Sequence, residues 1–430
     1  MPDLQPFAGL RYNPARVSDW GSVLAPPYDV IDDAQRRNLI ARSPYQITRV
    51  ETAGTDAEIA EASTLLRNWR DDGVLEREPR PAYYLLEQRF DHGGRERTRH
   101  CLFLRARLVP WAAGEILPHE WTMAGPKKIR TALRRATQMD ISPLFALAQD
   151  SDRGLGALLD EAGQLEPVAS GSDHSGDHQV LRVVDQPDAV EALRAALARE
   201  PIYIADGHHR YESALADRDR ATAKSSSWSG DEPENFVLMG LVRAADPGLI
   251  VGPTHRLLHV DPPLNAVAAA RERFDVRDVG PVSDGPTRLL HAMAEITDAG
   301  SGALAIGAVG LEPNRCHLLV TTDTTRAHLA HSLPTAWRKL DISVLQTALL
   351  QPLFGVDDDA LRDGQAVTYT HKAKAVFAAV SSREAHCGFL LNPPPLDQIF
   401  ATARSGDRMP QKSTYFKPKL PTGTVLYAFD

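Results

Sequence analysis

Apolar positions along this chain switch repeatedly between a helical and a strand period. Over 58–72, Ile59, Ala62, Leu65, Leu66 and Trp69 share one helical face. Over 82–90 and 97–108 the pattern is that of strands, and Asp91-His92-Gly93-Gly94 between them signals a hairpin. The segment 127–138 reads as a helix, basic on one side. Helices are then predicted over 153–162 and 189–199, and buried strands over 179–184 and 202–205. A further helix starts directly after Asp206 and runs to about 219. The stretch 221–234, with Ser225-Ser226-Ser227 and several acidic residues and prolines, reads as a loop. Strand character returns over 236–243 and 249–252.

From about 262 a second alternating region begins, with helices over 263–273, 285–299, 342–353 and 372–380. Its strands fall at 303–310, 315–321 and 387–391, the last stopping before Pro393-Pro394-Pro395. The first eighty residues are turn-rich around Ala25-Pro26-Pro27-Tyr28-Asp29-Val30-Ile31. The tail 408–419 is neither periodic nor acidic and carries three lysines, so it reads as an ordered functional loop. Helices and strands interleave without an internal repeat, which predicts an α+β (mixed) fold. A length of 430 residues exceeds one ordinary core. The expected division is an N-terminal segment over 1–80, a core over 81–260 and a C-terminal mixed α/β domain over 261–430, completed by the tail.

Composition narrows the function classes. Net charge is −8 and is spread along the chain, which disfavours a nucleic-acid binder but leaves room for a local basic pocket. Cys101, Cys316 and Cys387 show no metal or redox spacing and read as reduced thiols. The opening residues lack the basic-then-apolar pattern of a signal peptide, and no apolar run approaches the ~20 residues of a membrane span. A cytoplasmic protein without nucleic-acid or membrane partners is expected, its oligomeric state left open.

The densest chemistry lies in Tyr203-Ile204-Ala205-Asp206-Gly207-His208-His209-Arg210-Tyr211-Glu212. An apolar strand stops at Asp206-Gly207 and a helix begins at once. Gly207 permits close backbone approach. The free N–H groups and positive end of the helix favour an anion. Arg210 offers a planar fork to phosphate oxygens, with His208 and His209 as further donors. A plain helix cap would account for Asp206 alone. Neighbouring histidines point in different directions on a helix, which disfavours both as ligands of one metal.

A second group is Leu117-Pro118-His119-Glu120-Trp121-Thr122, followed by Lys127, Lys128 and Arg130. From composition alone, Glu120 reads equally as a solvated loop carboxylate or as a general base. Pro253-Thr254-His255-Arg256 and Lys412-Ser413-Thr414 read, taken alone, as ordinary loops. The latter resembles a phosphate-contacting set without the Gly-rich lead of a P-loop. No Walker, Rossmann, G-x-S-x-G or H-E-x-x-H pattern occurs.

Six blocks in order resemble the bacterial family DUF1015. They are 25–31; 117–122 with Pro126-Lys127 and Arg130; Ser142-Pro143-Leu144-Phe145; 206–212; 253–256; and 409–419. More distantly, Pro118-His119-Glu120 and Asp206-Gly207-His208-His209-Arg210 are similar to the "PHE" and "DGHHR" boxes of free L-serine kinases, within the ParB/sulfiredoxin-like group. That resemblance implies a ParB/sulfiredoxin-like nucleotide-binding core elaborated with additional mixed α/β regions. It implies Glu120 as base, and Asp206, His208, His209 and Arg210 as the phosphate and Mg2+ site, with Asp206 the metal ligand. His119, Gly207, Ser413 and Thr414 join the nucleotide-contacting set, with Lys127, Arg130 and Lys412 as cations closing over the transferred group.

The expected activity is a phosphotransferase using Mg2+ and ATP or ADP on a small-molecule hydroxyl such as serine's. A phosphatase or nucleotide hydrolase would need the same cradle and base. A non-catalytic nucleotide-binding regulatory protein is the third reading; its DNA-binding form would want a basic module after the box, where Asp231-Glu232-Pro233-Glu234 stands instead.

Overall fold

The computed structural model describes residues 1–121, 127–151, 154–300, 302–335 and 337–430. The chain is a mixed α/β protein and divides into two compact units. One comprises 1–118, 122–250 and 418–430, the other 119–121 and 251–417.

Among the described residues, the sheet of the first unit has nine strands. In space they run Ile116–Leu117, Ile202–Asp206, Leu144–Ala148, Phe236–Arg243, Glu96–Arg107, Tyr83–Asp91, His178–Val184 and Ala169–Ser172, with Leu4–Gln5 also paired to Glu96–Arg107. Leu144–Ala148 runs antiparallel to Ile202–Asp206 and parallel to Phe236–Arg243. These strands are near-continuous apolar runs because both their faces are covered. Helix His208–Lys224 packs on Leu144–Ala148 and Phe236–Arg243, where Tyr211 and Ala214 join Leu144, Ile204 and Met239 in the core. Helix Asp56–Asp71 is started by a capping box between Thr55 and Glu58. It buries Ile59, Ala62, Leu66 and Trp69.

The second unit holds a six-stranded antiparallel sheet among its described residues, ordered Phe274–Pro281, Arg315–Thr321, Ala305–Val309, Cys387–Leu390, His255–Leu258 and Val367–Thr370. Helices Thr287–Asp298 and Ala373–Ser381 pack against it. Leu289, Met293, Leu318 and Val376 form part of its core.

Several sequence expectations need correction. The predicted loop over 221–234 begins later, because helix His208–Lys224 continues through Ala221, Thr222 and Ala223, residues without a breaker. The helix expected over 263–273 shrinks to Ala266–Ala270, and Phe274 already opens a strand. His255 and Arg256, within the 253–256 segment read as loop, open the buried strand His255–Leu258, which lies between two others in the sheet. The helix expected over 342–353 is interrupted by a π turn at Gln346–Leu350, where the Gln346 side chain donates to the Val356 carbonyl at 2.7 Å. Among the described residues, no helix is long and apolar enough to cross a membrane.

Candidate functional site

In the first unit, the strand Ile202–Asp206 pairs regularly with Leu144–Ala148 until its register shifts between Ile204 and Asp206. Such a bulge re-aims the side chain at the strand end. Gly207 follows at φ 95° and ψ 22°, and the helix starts at His208. A Cβ at Gly207 would lie 2.8 Å from Leu144 Cδ2 and 3.1 Å from Arg210 Nε. Both the left-handed backbone and the tight packing therefore demand glycine. Gly207, rather than Asp206, occupies the cap position, with no side-chain cap hydrogen bond. Helix capping is thus not what Asp206 does.

The Asp206 carboxylate instead pairs with the Lys419 ammonium through Oδ2, and its Oδ1 lies 3.8 Å from Arg210 Nη2. Burial raises its pKa, but Lys419 and then Arg210 outweigh that and hold it well below the usual carboxylate range. His208 acts in the same direction. Arg210 donates to the Pro143 carbonyl at 2.7 Å, which fixes its guanidinium beside the start of the helix. Two cations therefore stand against one carboxylate where the helix presents its positive end.

Arg130 is anchored close by. It donates to the carbonyls of Glu51 (2.6 Å) and Ala53 (3.1 Å), and its guanidinium lies 4.1 Å over the Tyr28 ring. Burial raises the pKa of Glu51 against the pull of Arg130 and of Ser142, whose hydroxyl donates to it at 2.6 Å. Glu51, Arg130, Ser142, Arg210 and Ser213 line a small cavity of about 50 Å3. Tyr28, Asp29 and Glu51 all act electrostatically on Arg210. The blocks at 25–31, 142–145 and 206–212 thus meet around one guanidinium.

In the second unit, Glu120 Oε1 accepts from Ser413 N (3.1 Å), Thr414 N (2.9 Å) and Thr414 Oγ1 (2.8 Å). Lys412, at φ 55°, turns these consecutive amides toward one point, a backbone nest for an anion. Nε2 of the buried His119 lies 2.8 Å from Thr414 Oγ1 and 3.5 Å from Glu120 Oε1. The Met409 amide donates to the His119 carbonyl at 2.7 Å. Arg256 is 3% exposed and lies 4.5 Å over the Tyr369 ring. It donates to the carbonyls of Thr254 (3.0 Å) and Lys412 (2.9 Å). Burial lowers its pKa to about 10, with Tyr369 and Glu120 opposing that shift.

The candidate residues sort into two groups. Asp206, Gly207, His208, His209, Arg210 and Arg130 belong to the first unit, whereas His119, Glu120, Lys412, Ser413 and Thr414 belong to the second. Thr122–Pro126 and the Lys127 side chain lie outside the described residues.

A family model described as protein of unknown function, DUF1015, matches residues 4–343. The chain belongs to the DUF1015 family. No curated protein matches it. Among solved structures, free serine kinase in complex with AMP is 10% identical with a TM-score of 0.37, covering 73% of this chain and 86% of that one. A conserved hypothetical protein from Pyrococcus furiosus is 11% identical with a TM-score of 0.36, covering 74% and 93%. SbnI from Staphylococcus aureus, truncated at its C-terminus, is 12% identical with a TM-score of 0.33, covering 74% and 85%. Likenesses this loose do not bear on the site.

Three residues around this candidate site carried no role in the sequence pattern. Lys419 stood inside the 409–419 block without a role, and Tyr28 inside the 25–31 block. Glu51 lay in no block, and only its burial beneath Arg130 reveals it.

Proposed function

We propose that this protein is a nucleotide- and Mg2+-dependent phosphotransferase acting on a small-molecule hydroxyl, with the amino-acid hydroxyl of serine as the first acceptor to test. The observation that carries the reading is the Asp206–Arg210 junction. A helix N-terminus meets the chain through a glycine at φ 95°, with Arg210 and Lys419 beside an ionised Asp206. Phosphoryl transfer asks a protein for positioning and charge neutralisation more than for covalent chemistry. Arg210 and the amides at the helix start suit phosphate oxygens of ATP or ADP, and His208 and His209 sit in the same first turn.

The fit of a metal is limited by the donor set. Among the described residues, no group of three or more His, Cys, Asp or Glu side chains is arranged to hold one. Mg2+ characteristically takes one or two carboxylates and completes its shell with water and substrate phosphates. Asp206, ionised at the edge of the phosphate cradle, meets that modest requirement as a single ligand. When bound, Mg2+ would neutralise charge on the phosphate oxygens.

Glu120 is the proposed base, a role that rests on the Pro118-His119-Glu120 box. Its carboxylate is oriented through Oε1 by the Ser413–Thr414 nest. The three buried thiols, Cys101, Cys316 and Cys387, are unpaired, in keeping with a reducing cytoplasmic setting.

Incubation with Mg2+ and γ- or β-labelled nucleotide, with and without serine, tests the reading. Label in phosphoserine supports it; free phosphate alone identifies a hydrolase; nucleotide bound without turnover identifies a regulatory protein. Glu120→Gln is expected to abolish transfer while nucleotide affinity stays within about twofold. Normal turnover by that variant would remove Glu120 as the base.

A further inference from the structure

Lys419 reaches Asp206 from the end of the chain, 213 residues away in sequence. Its ammonium sits on Oδ2, while Arg210 approaches Oδ1 at 3.8 Å. Arg210 is tied to the Pro143 carbonyl, and its Nε lies 3.1 Å from the place a Cβ on Gly207 would take. Lys419 instead reaches Asp206 on a flexible four-carbon stem with rotatable donors. Such a stem lets the ammonium swing from one anionic partner to another.

We infer that Lys419 is an exchangeable counter-ion for Asp206. With no anion bound, Lys419 neutralises the carboxylate and competes with any divalent cation for it. When phosphate oxygens reach the start of helix His208–Lys224, Lys419 turns onto them, and the released Asp206 becomes available to Mg2+. Binding of phosphate and of Mg2+ is thereby coupled through one side chain, and the coupling must be reciprocal. The inference rests on the phosphate-binding reading above and adds to it the order in which the site assembles.

Two substitutions move the coupling in opposite directions. Lys419→Met removes the competitor and a phosphate donor together. It is expected to weaken ADP binding about tenfold or more, the loss typical of one charge-assisted hydrogen bond. The same variant is expected to bind Mg2+ alone more tightly than the wild-type chain. Asp206→Asn frees Lys419 without changing side-chain shape. It should bind ADP alone at least as tightly as wild type, and Mg2+ should no longer improve that affinity.

The experiment is calorimetric titration of the full chain and both variants with Mg2+ alone, ADP alone, and ADP in saturating Mg2+, with thermal melts to confirm folding. Opposite shifts in the two variants, as stated, support the exchange. Weaker ADP binding in both variants, or unchanged Mg2+ affinity in Lys419→Met, overturns it, since a purely structural ion pair behaves that way. Should Lys419→Met not fold, Asp206→Asn decides: retained Mg2+ enhancement or weakened ADP binding overturns the exchange. Failure of the wild-type chain to bind either ADP or ATP refutes the phosphate-binding reading itself. The Mg2+-alone arm still tests whether Lys419 competes for Asp206.

Discussion

Replacing Gly207 with alanine probes the junction on which the functional reading stands. At φ 95° an L-residue costs about 1–2 kcal/mol from backbone crowding alone. The added methyl also meets Leu144 Cδ2 at 2.8 Å, inside any ordinary contact distance. Leu144 is fully buried in a central strand, so displacing it adds about 1–3 kcal/mol of overpacking. The sum, about 2–5 kcal/mol, corresponds to a fall in melting temperature of about 5–15 °C for a unit of this size. The same methyl lies 3.1 Å from Arg210 Nε and 3.2 Å from Nη2, so the guanidinium must shift as well. ADP affinity is expected to drop about tenfold or more, as one charge-assisted contact is lost. Gly73→Ala is the control, because Gly73 has φ 69° but no atom within 4 Å of the place its methyl would take. Melting curves and ADP titrations of the two variants separate conformational strain from contact. If Gly207→Ala melts no lower than Gly73→Ala and binds ADP like wild type, the junction is not the tightly packed cradle described.

Asp217 accepts from Arg134 (3.1 Å), Arg135 (2.6 Å) and Arg220 (2.6 Å) and is 5% exposed. Asp217→Ala strands the buried Arg134 with Asp140 as its remaining carboxylate, and urea denaturation should show a loss of about 3 kcal/mol. His255 is buried and accepts from the Leu391 amide through Nδ1, and burial, then His371 and Arg256, lower its pKa to about 4. Its stabilising contribution is therefore present above the ordinary histidine value near 6.5 and is lost as pH falls toward 4, because only the unfolded chain takes up the proton in that window. The loss amounts to about 3 kcal/mol at most, and His255→Asn should flatten that part of a pH series of urea melts. A wild-type slope no steeper than that of His255→Asn would contradict the assignment. Asp206 titrates in the other sense of charge. Its depressed value contributes stability that is fully present above the ordinary carboxylate range and is lost progressively as pH falls below it, so Asp206→Asn should lower the stability plateau and flatten its acid limb.

The strand–glycine–helix junction was legible because it is local: an apolar run, a glycine and an amphipathic helix within one stretch of chain. The 83–107 hairpin and the strand Arg315–Thr321 were legible for the same reason. The partners of the site were not. Lys419 meets Asp206, Arg130 meets Glu51, and Ser142 meets Glu51 across separations of 213, 79 and 91 residues, and no periodicity reports such pairings. Arg256 was hidden differently. A buried arginine in a central strand breaks the apolar pattern, so 253–256 looked like a loop until the Lys412 carbonyl and the Tyr369 ring accounted for the charge. The nest around Glu120 depends on Lys412 adopting a left-handed backbone, which its residue type does not announce.

The most direct test of the phosphate-binding claim is a calorimetric titration of ADP and ATP, with Mg2+, into the wild-type chain and into Arg210→Met. The account predicts saturable binding to wild type and a loss of about tenfold or more in the variant. Nucleotide binding that is absent from the wild-type chain, or indifferent to Arg210, would contradict it.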